Sequence, residues 1–258
     1  MPRLTQAIKH LIIINVILFF APQLLNMDLT NLFALHYPAN EHFGFWQYIT
    51  HMFMHGGPAH LLFNMYGLWA FGTPLEQMWG RNKFLFFYFS AGIGAGLIYT
   101  LANYYQFNGI YEQLISSGIT SDEVSKILDI STYSTKEFIN QCNIILSNNS
   151  TLTPYQGLGD NLIEINNLFN SPAVGASGAV YGVLVAFGLT YPNAKLALIF
   201  FPVPIAAKYF IPLIILSDLF FGMTSYSIGN IAHFAHVGGA IIGFIIAWYW
   251  KKNQFRFH

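Results

Sequence analysis

Apolar residues in this chain come in long runs, not in the stripe of a surface helix or the alternation of a half-buried strand. Six stretches approach the ~20 apolar residues that a bilayer-crossing helix needs: roughly 7–25, 59–80, 84–104, 172–191, 207–223 and 231–250. Arg3 and Lys9 flank the first run in the manner of a signal peptide, but no A-x-A-like site follows "FFAPQLL", so the run reads as a retained span. Between runs one and two, residues 26–58 form a loop rich in aromatics and histidine. Residues 105–170 differ in kind, with seven acidic and two basic residues among many Ser, Asn and Thr. There "TSDEVSKILD" predicts a helix capped by Ser121, with Val124 at the usual Glu position of a capping box and Asp122 and Glu123 favouring the first turn. "STKEFINQCNIIL" also carries helical spacing, so two or three short helices are expected, with a loop near Asn148.

Composition sharpens this picture. The chain has 258 residues, is 54% hydrophobic and only 9% charged, against about 25% charged in soluble domains; its mean hydropathy is +0.46. Disorder, coiled coil and an ordinary soluble enzyme are excluded. A formal charge of zero gives no footprint for nucleic acid, and Cys142, the single cysteine, has no partner for an internal disulfide. The expected fold class is an all-α polytopic membrane protein with six transmembrane helices. Residues 1–104 hold spans one to three, 105–170 an external insertion, and 171–258 spans four to six.

Orientation follows from the basic residues. In a six-span chain Arg3, Lys9, Arg81, Lys83, Lys195, Lys208, Lys251, Lys252 and Arg256 share one side, and Lys126 and Lys136 lie on the other. Both termini are therefore expected to be cytoplasmic.

Two motifs inside the spans are not explained by hydrophobicity: "GASG" in span four and "AHVGG" in span six. Polar residues within a span mark a functional site by default. Ser177 and His236 each fall about five residues below the outer end of their span. Gly178 and Gly182 on span four, and Gly239 and Gly243 on span six, form G-x-x-x-G steps that allow close helix approach. A Ser–His hydrogen bond then becomes feasible, with the imidazole taking the hydroxyl proton. Tyr181, one turn below Ser177, is placed to pack on that imidazole. In "HLLFN" of span two, His60 and Asn64 share one helix face and can donate hydrogen bonds to an oxyanion, and the Ser177 backbone N–H can add another. No acid adjoins "AHVGG", and Asp218, toward the far end of span five, is not expected to be a third member, so the pair reads as a dyad. His233 reads as structural or substrate-facing, and Glu76 as structural. His51, His55 and His60 are spaced H-x3-H-x4-H but lack H-E-x-x-H, so no metal is expected.

In this order, "HGGPAHLLFN", "GASGAVYG" and "AHVGGAIIG" resemble the rhomboid intramembrane serine proteases. The resemblance implies a six-helix bundle and cleavage of transmembrane protein substrates near the outer face, without metal or organic cofactor. It makes Ser177 the nucleophile and His236 the base. His60 and Asn64 would line the oxyanion hole, Tyr181 would stack on His236, and Gly178, Gly182, Gly239 and Gly243 would be close-packing positions. Substrate would enter beside span five and under the loop 224–230. Two features depart from the family. Gln47 follows Trp46 where Trp-Arg is common, which removes an ionic anchor from the first loop, and 105–170 is longer than a simple third loop. Transmembrane helices and the bilayer are the expected partners, and the plasma membrane of a bacterium the expected location. The competing readings are an inactive relative that binds transmembrane helices and a transporter; the latter is disfavoured by the lack of matching halves.

Overall fold

The computed structural model describes residues 3–132, 134–147, 149–198, 201–223 and 233–253. The expected entry loop 224–230 and the start of span six at Ile231 lie outside the described residues, as does Asn148. The chain divides into two compact units: Met1–Leu35 with Phe45–Tyr99 and Ala173–His258, and His36–Gly44 with Thr100–Pro172.

The first unit opens with α1 (Gln6–Leu25), then the single turns α2 (Thr30–Phe33) and α3 (Gln47–Thr50) and a 3-10 turn, His51–Phe53. The second apolar run folds as α4 (Pro58–Gly67), a π-helical turn (Leu68–Gly72) and α5 (Thr73–Trp79). Pro74, which has no N–H to give to the preceding turn, accounts for the relaxed ladder just before it. Helix α6 (Arg81–Ser116) belongs to this unit through Tyr99. After the insertion come α10 (Ser177–Thr190), a hairpin of β1 (Lys195–Leu198) and β2 (Phe201–Ala206), α11 (Ala207–Met223) and α12 (His233–Asn253). The hairpin pairs Lys195 with Ala206 and Leu196 with Ile205; the apolar-run pattern alone did not reveal it.

Among the described residues α1, α6 and α12 are long and apolar enough to cross a membrane. The core of the unit is closed by Phe84, Phe87, Tyr88, Leu68, Leu75 and Ile8, all fully buried. Large apolar side chains such as Ile17, Leu62, Phe86, Leu213, Leu216 and Ile245 remain exposed, a sheath suited to lipid, not water. The buried Glu76 caps α1 from outside that helix. Its Oε1 accepts from the Ala7 N–H at 2.8 Å and its Oε2 from the Ile8 N–H at 3.0 Å, and Thr5 Oγ1 donates to the same carboxylate. A charge in an apolar run is thus accounted for by the free amides at a helix start.

Gln47 takes over the anchoring of the first loop. Its buried amide donates to the Asn31 carbonyl at 3.1 Å, beside Trp46 Nε1–H donating to Leu32 O at 2.7 Å and Thr50 Oγ1 donating to Phe33 O at 2.8 Å. Neutral hydrogen bonds hold α3 on α2 here.

The second unit consists of the end of α6, α7 (Ser121–Leu128), α8 (Thr135–Leu146) and α9 (Leu158–Asn170). Helix α6 does not stop near Tyr104 as hydropathy suggested. Residues Phe107, Ile110, Tyr111 and Leu114 keep the helical period and pack on Ile119, Val124, Ile127, Phe138, Cys142 and Ile165. The cap of α7 is Thr120 and not Ser121. Its side chain accepts from Glu123 N–H, and the Glu123 carboxylate accepts from Thr120 N–H at 2.8 Å, a complete capping box.

Candidate active site

The polypeptide reaches Ser177 through a non-helical segment. Leu35 and Ala173 exchange backbone hydrogen bonds at 2.9 and 2.8 Å, and Gly175 N–H donates to His51 O at 2.9 Å. Gly175 sits at φ +124°, a conformation that L side chains rarely adopt. Helix α10 then begins at Ser177 itself, so the serine is not five residues inside a helix that starts at Pro172. At that position its N–H and those of Gly178 and Ala179 have no carbonyl within the helix to bond, and the helix start carries partial positive charge.

Glycine brings α12 against α10. A methyl group added at Gly239 would collide with the Gly178 carbonyl oxygen; one at Gly243 would lie 2.5 Å from Gly182 Cα, and one at Gly182 would lie 3.0 Å from Gly239 O. Methyl groups added at Gly178 and Gly182 would also meet Ala95 and Ala91 of α6. With backbones this close, His236 Nε2 lies 2.8 Å from Ser177 Oγ. The Tyr181 ring stacks on the His236 ring at 4.3 Å between centroids and 11° between planes.

Asp218 corrects the expectation that no acid lies beside His236. Its Oδ1 lies 3.2 Å from His236 Nδ1 and 2.8 Å from His233 Nδ1, and its Oδ2 accepts a hydrogen bond from the Tyr181 hydroxyl. The reason is antiparallel succession: Asp218 lies in the last turns of α11 and His236 in the first turn of α12, so two positions that look remote in the chain meet at one end of adjacent helices. That Asp218 is the lone charge in its apolar helix interior was the available signal. The side chains of Asp218 and His236 are 11% and 14% exposed, which leaves the imidazole almost enclosed.

Span two contributes His60. A methyl group on Gly175 would lie 2.7 Å from His60 Nε2 and 3.5 Å from Ser177 Oγ, so the missing side chain leaves a space bordered by both. Gly56 N–H donates to His60 Nδ1 at 3.4 Å, which in a neutral ring puts the proton on Nε2, toward that space. Asn64 is buried, and its amide donates to the His60 carbonyl oxygen at 3.1 Å; among the described hydrogen bonds none joins it to Ser177.

For a divalent cation, the ligand atoms of Asp218, His233 and His236 lie within 4.8 Å of one another, a carboxylate and two imidazoles. The histidine run of the first loop makes no such group among the described residues. His51 Nδ1–H donates to Gln47 O at 2.7 Å, and the His55 and His60 rings meet edge to face at 5.1 Å.

A helical protein with membrane-length apolar segments and a serine–imidazole pair at the end of a glycine-packed helix pair is the class defined so far. The family model "Rhomboid domain" matches residues 42–119 and 146–253, and the chain belongs to the rhomboid family. It is therefore an integral membrane protein. It is similar to "Rhomboid protein 1, mitochondrial" of Saccharomyces cerevisiae, 26% identical over 78% of this chain and 40% of the relative. It is also similar to "Rhomboid protease GluP" of Bacillus subtilis, 29% identical over 58% of this chain and 27% of that protein. "Rhomboid protease GlpG" of Haemophilus influenzae is 31% identical over 32% of this chain and 44% of its own length. The chain thus spans less than half the length of each of these relatives. Because they divide between mitochondrial and bacterial proteins, the expected bacterial plasma membrane is not supported.

Proposed function

We propose that this chain is an intramembrane serine endopeptidase that cleaves transmembrane protein substrates through an acyl-enzyme on Ser177. The 2.8 Å approach of His236 Nε2 to Ser177 Oγ carries this reading. His236 takes the hydroxyl proton as Ser177 attacks the scissile carbonyl, then returns it to the leaving amine; a water activated by the same imidazole releases the acyl group. The developing oxyanion is held by the Ser177 N–H at the start of α10 and by His60 Nε2–H. Asn64 joins them once its amide turns from the His60 carbonyl. Tyr181 keeps the imidazole plane fixed. Relatives named as rhomboid proteases support the same chemistry.

The reading includes six spans with both termini in the cytosol, as the distribution of Lys and Arg supports. Depth is consistent with hydrolysis. At ~1.5 Å per residue, the fourteen residues of α10 cover about 21 Å of a hydrocarbon layer ~30 Å thick. With the inner end of α10 at the inner boundary, Ser177 lies about 9 Å below the outer one, within reach of a water-filled cleft.

Ser177→Ala and His236→Ala are each expected to abolish cleavage of a model single-span substrate in proteoliposomes, by 10³-fold or more, with unchanged insertion and thermal unfolding. A fluorophosphonate probe is expected to label Ser177 in the native protein. Wild-type turnover by Ser177→Ala would discard the assignment. Absence of labelling together with capture of transmembrane helices would favour the inactive relative.

A further inference from the structure

The Asp218 carboxylate is the meeting point of three donors on two neighbouring helices. Tyr181 approaches from α10, and His233 and His236 from the first turn of α12. An ionised carboxylate only accepts hydrogen bonds. Both imidazoles that point Nδ1 at Oδ1 therefore carry the proton on that nitrogen. For a neutral His236 this leaves Nε2 bare, and Nε2 is the atom 2.8 Å from Ser177 Oγ.

From this geometry we infer that Asp218 is a positioning residue which sets the tautomer and plane of His236, with His233 and Tyr181 holding the carboxylate in place. This rests on the proteolytic reading and extends its dyad by a third member. In the acylation step the Ser177 proton moves to His236 Nε2 as the Oγ–carbon bond forms. The Nδ1 proton stays on the ring, and the imidazolium is stabilised by the adjacent negative charge. When the C–N bond breaks, the Nε2 proton goes to the leaving nitrogen and the neutral ring returns; Asp218 remains ionised throughout.

The position of the three donors distinguishes this role from an incidental ion pair. Tyr181 both stacks on the His236 ring and donates to Oδ2, so the residue that fixes the imidazole plane also fixes the carboxylate. His233 shares Oδ1 and is 8% exposed at its side chain, Asp218 11%; little solvent competes for the carboxylate. Helix α11 thus contributes a polar group to a site whose other members come from α4, α10 and α12.

The test uses the full-length protein in proteoliposomes. Asp218→Asn keeps the shape of the side chain but offers an amide N–H to Nδ1, which selects the tautomer with the proton on Nε2. Its kcat is expected to fall by about 10²–10⁴-fold with KM within a factor of two, and fluorophosphonate labelling of Ser177 is expected to slow in parallel. Asp218→Glu is expected to recover part of the lost kcat, which a purely structural role does not predict. Nitrogen NMR of 15N-histidine-labelled wild-type protein is expected to show His236 protonated at Nδ1 in its neutral form, a readout that survives should the variants fail to fold. Full kcat in Asp218→Asn, or a wild-type His236 protonated at Nε2, overturns the inference. With Ser177→Ala assayed alongside, loss of activity there and retention in Asp218→Asn sinks the positioning role alone. Retention in Ser177→Ala sinks the proteolytic reading and this role with it.

Discussion

Gly175 shows how much a single residue without a side chain decides. It is held at φ +124°, tied to His51 O, and bordered by His60 Nε2 and Ser177 Oγ. A methyl group there meets His60 at 2.7 Å and adds the strain of a left-handed L-residue, about 1–3 kcal/mol. Gly175→Ala is therefore expected to lower kcat/KM more than tenfold while shifting thermal unfolding only modestly, measured on the same detergent-purified sample. Most of the residues brought together here were legible from residue type alone. Ser177, His236, His60 and Tyr181 stand out because polar side chains in apolar runs need a reason. Asp218 and Gly175 were not recovered, since the partner of one and the backbone angle of the other exist only once helices are packed.

Helices α10 and α12 pack through glycine because no other residue permits the approach. A methyl group at Gly239 would land on the Gly178 carbonyl, a backbone atom that cannot swing aside. Overpacking of this kind costs about 1–3 kcal/mol or more, and relief requires the helices to part, which stretches the Ser177–His236 contact. Gly239→Ala is expected to lower the unfolding temperature and to abolish fluorophosphonate labelling. Gly109 supplies the control. It lies in α6 with open space where its side chain would be, so Gly109→Ala is expected to leave labelling intact and to stabilise by about 0.5–1 kcal/mol. The G-x-x-x-G spacing was readable in the chain. The extension of α6 to Ser116 was not, because hydropathy fades after Tyr104 while the amphipathic period continues into the insertion.

On the scale of the whole molecule, the question is which side each segment faces. Cysteine at Lys126 is expected to react with an impermeant maleimide from outside sealed cells, and cysteine at Lys251 only after permeabilisation; the reverse pattern would overturn the orientation. The native Cys142 does not interfere. It is buried in the second unit, and burial pushes its thiol up to about 11, so little thiolate forms at neutral pH. Wild-type protein is expected to label only after unfolding.

Membrane class, the order of the apolar runs and the three family motifs were written in the linear chain, because hydropathy, charge and side-chain chemistry are properties of residues themselves. The start of α10 at Ser177, the hairpin after it, the Gln47 anchoring and the carboxylate behind His236 were decided by tertiary packing. They depend on distances between backbones that are far apart in the chain, and a one-dimensional pattern does not encode which ends of two helices come to lie side by side.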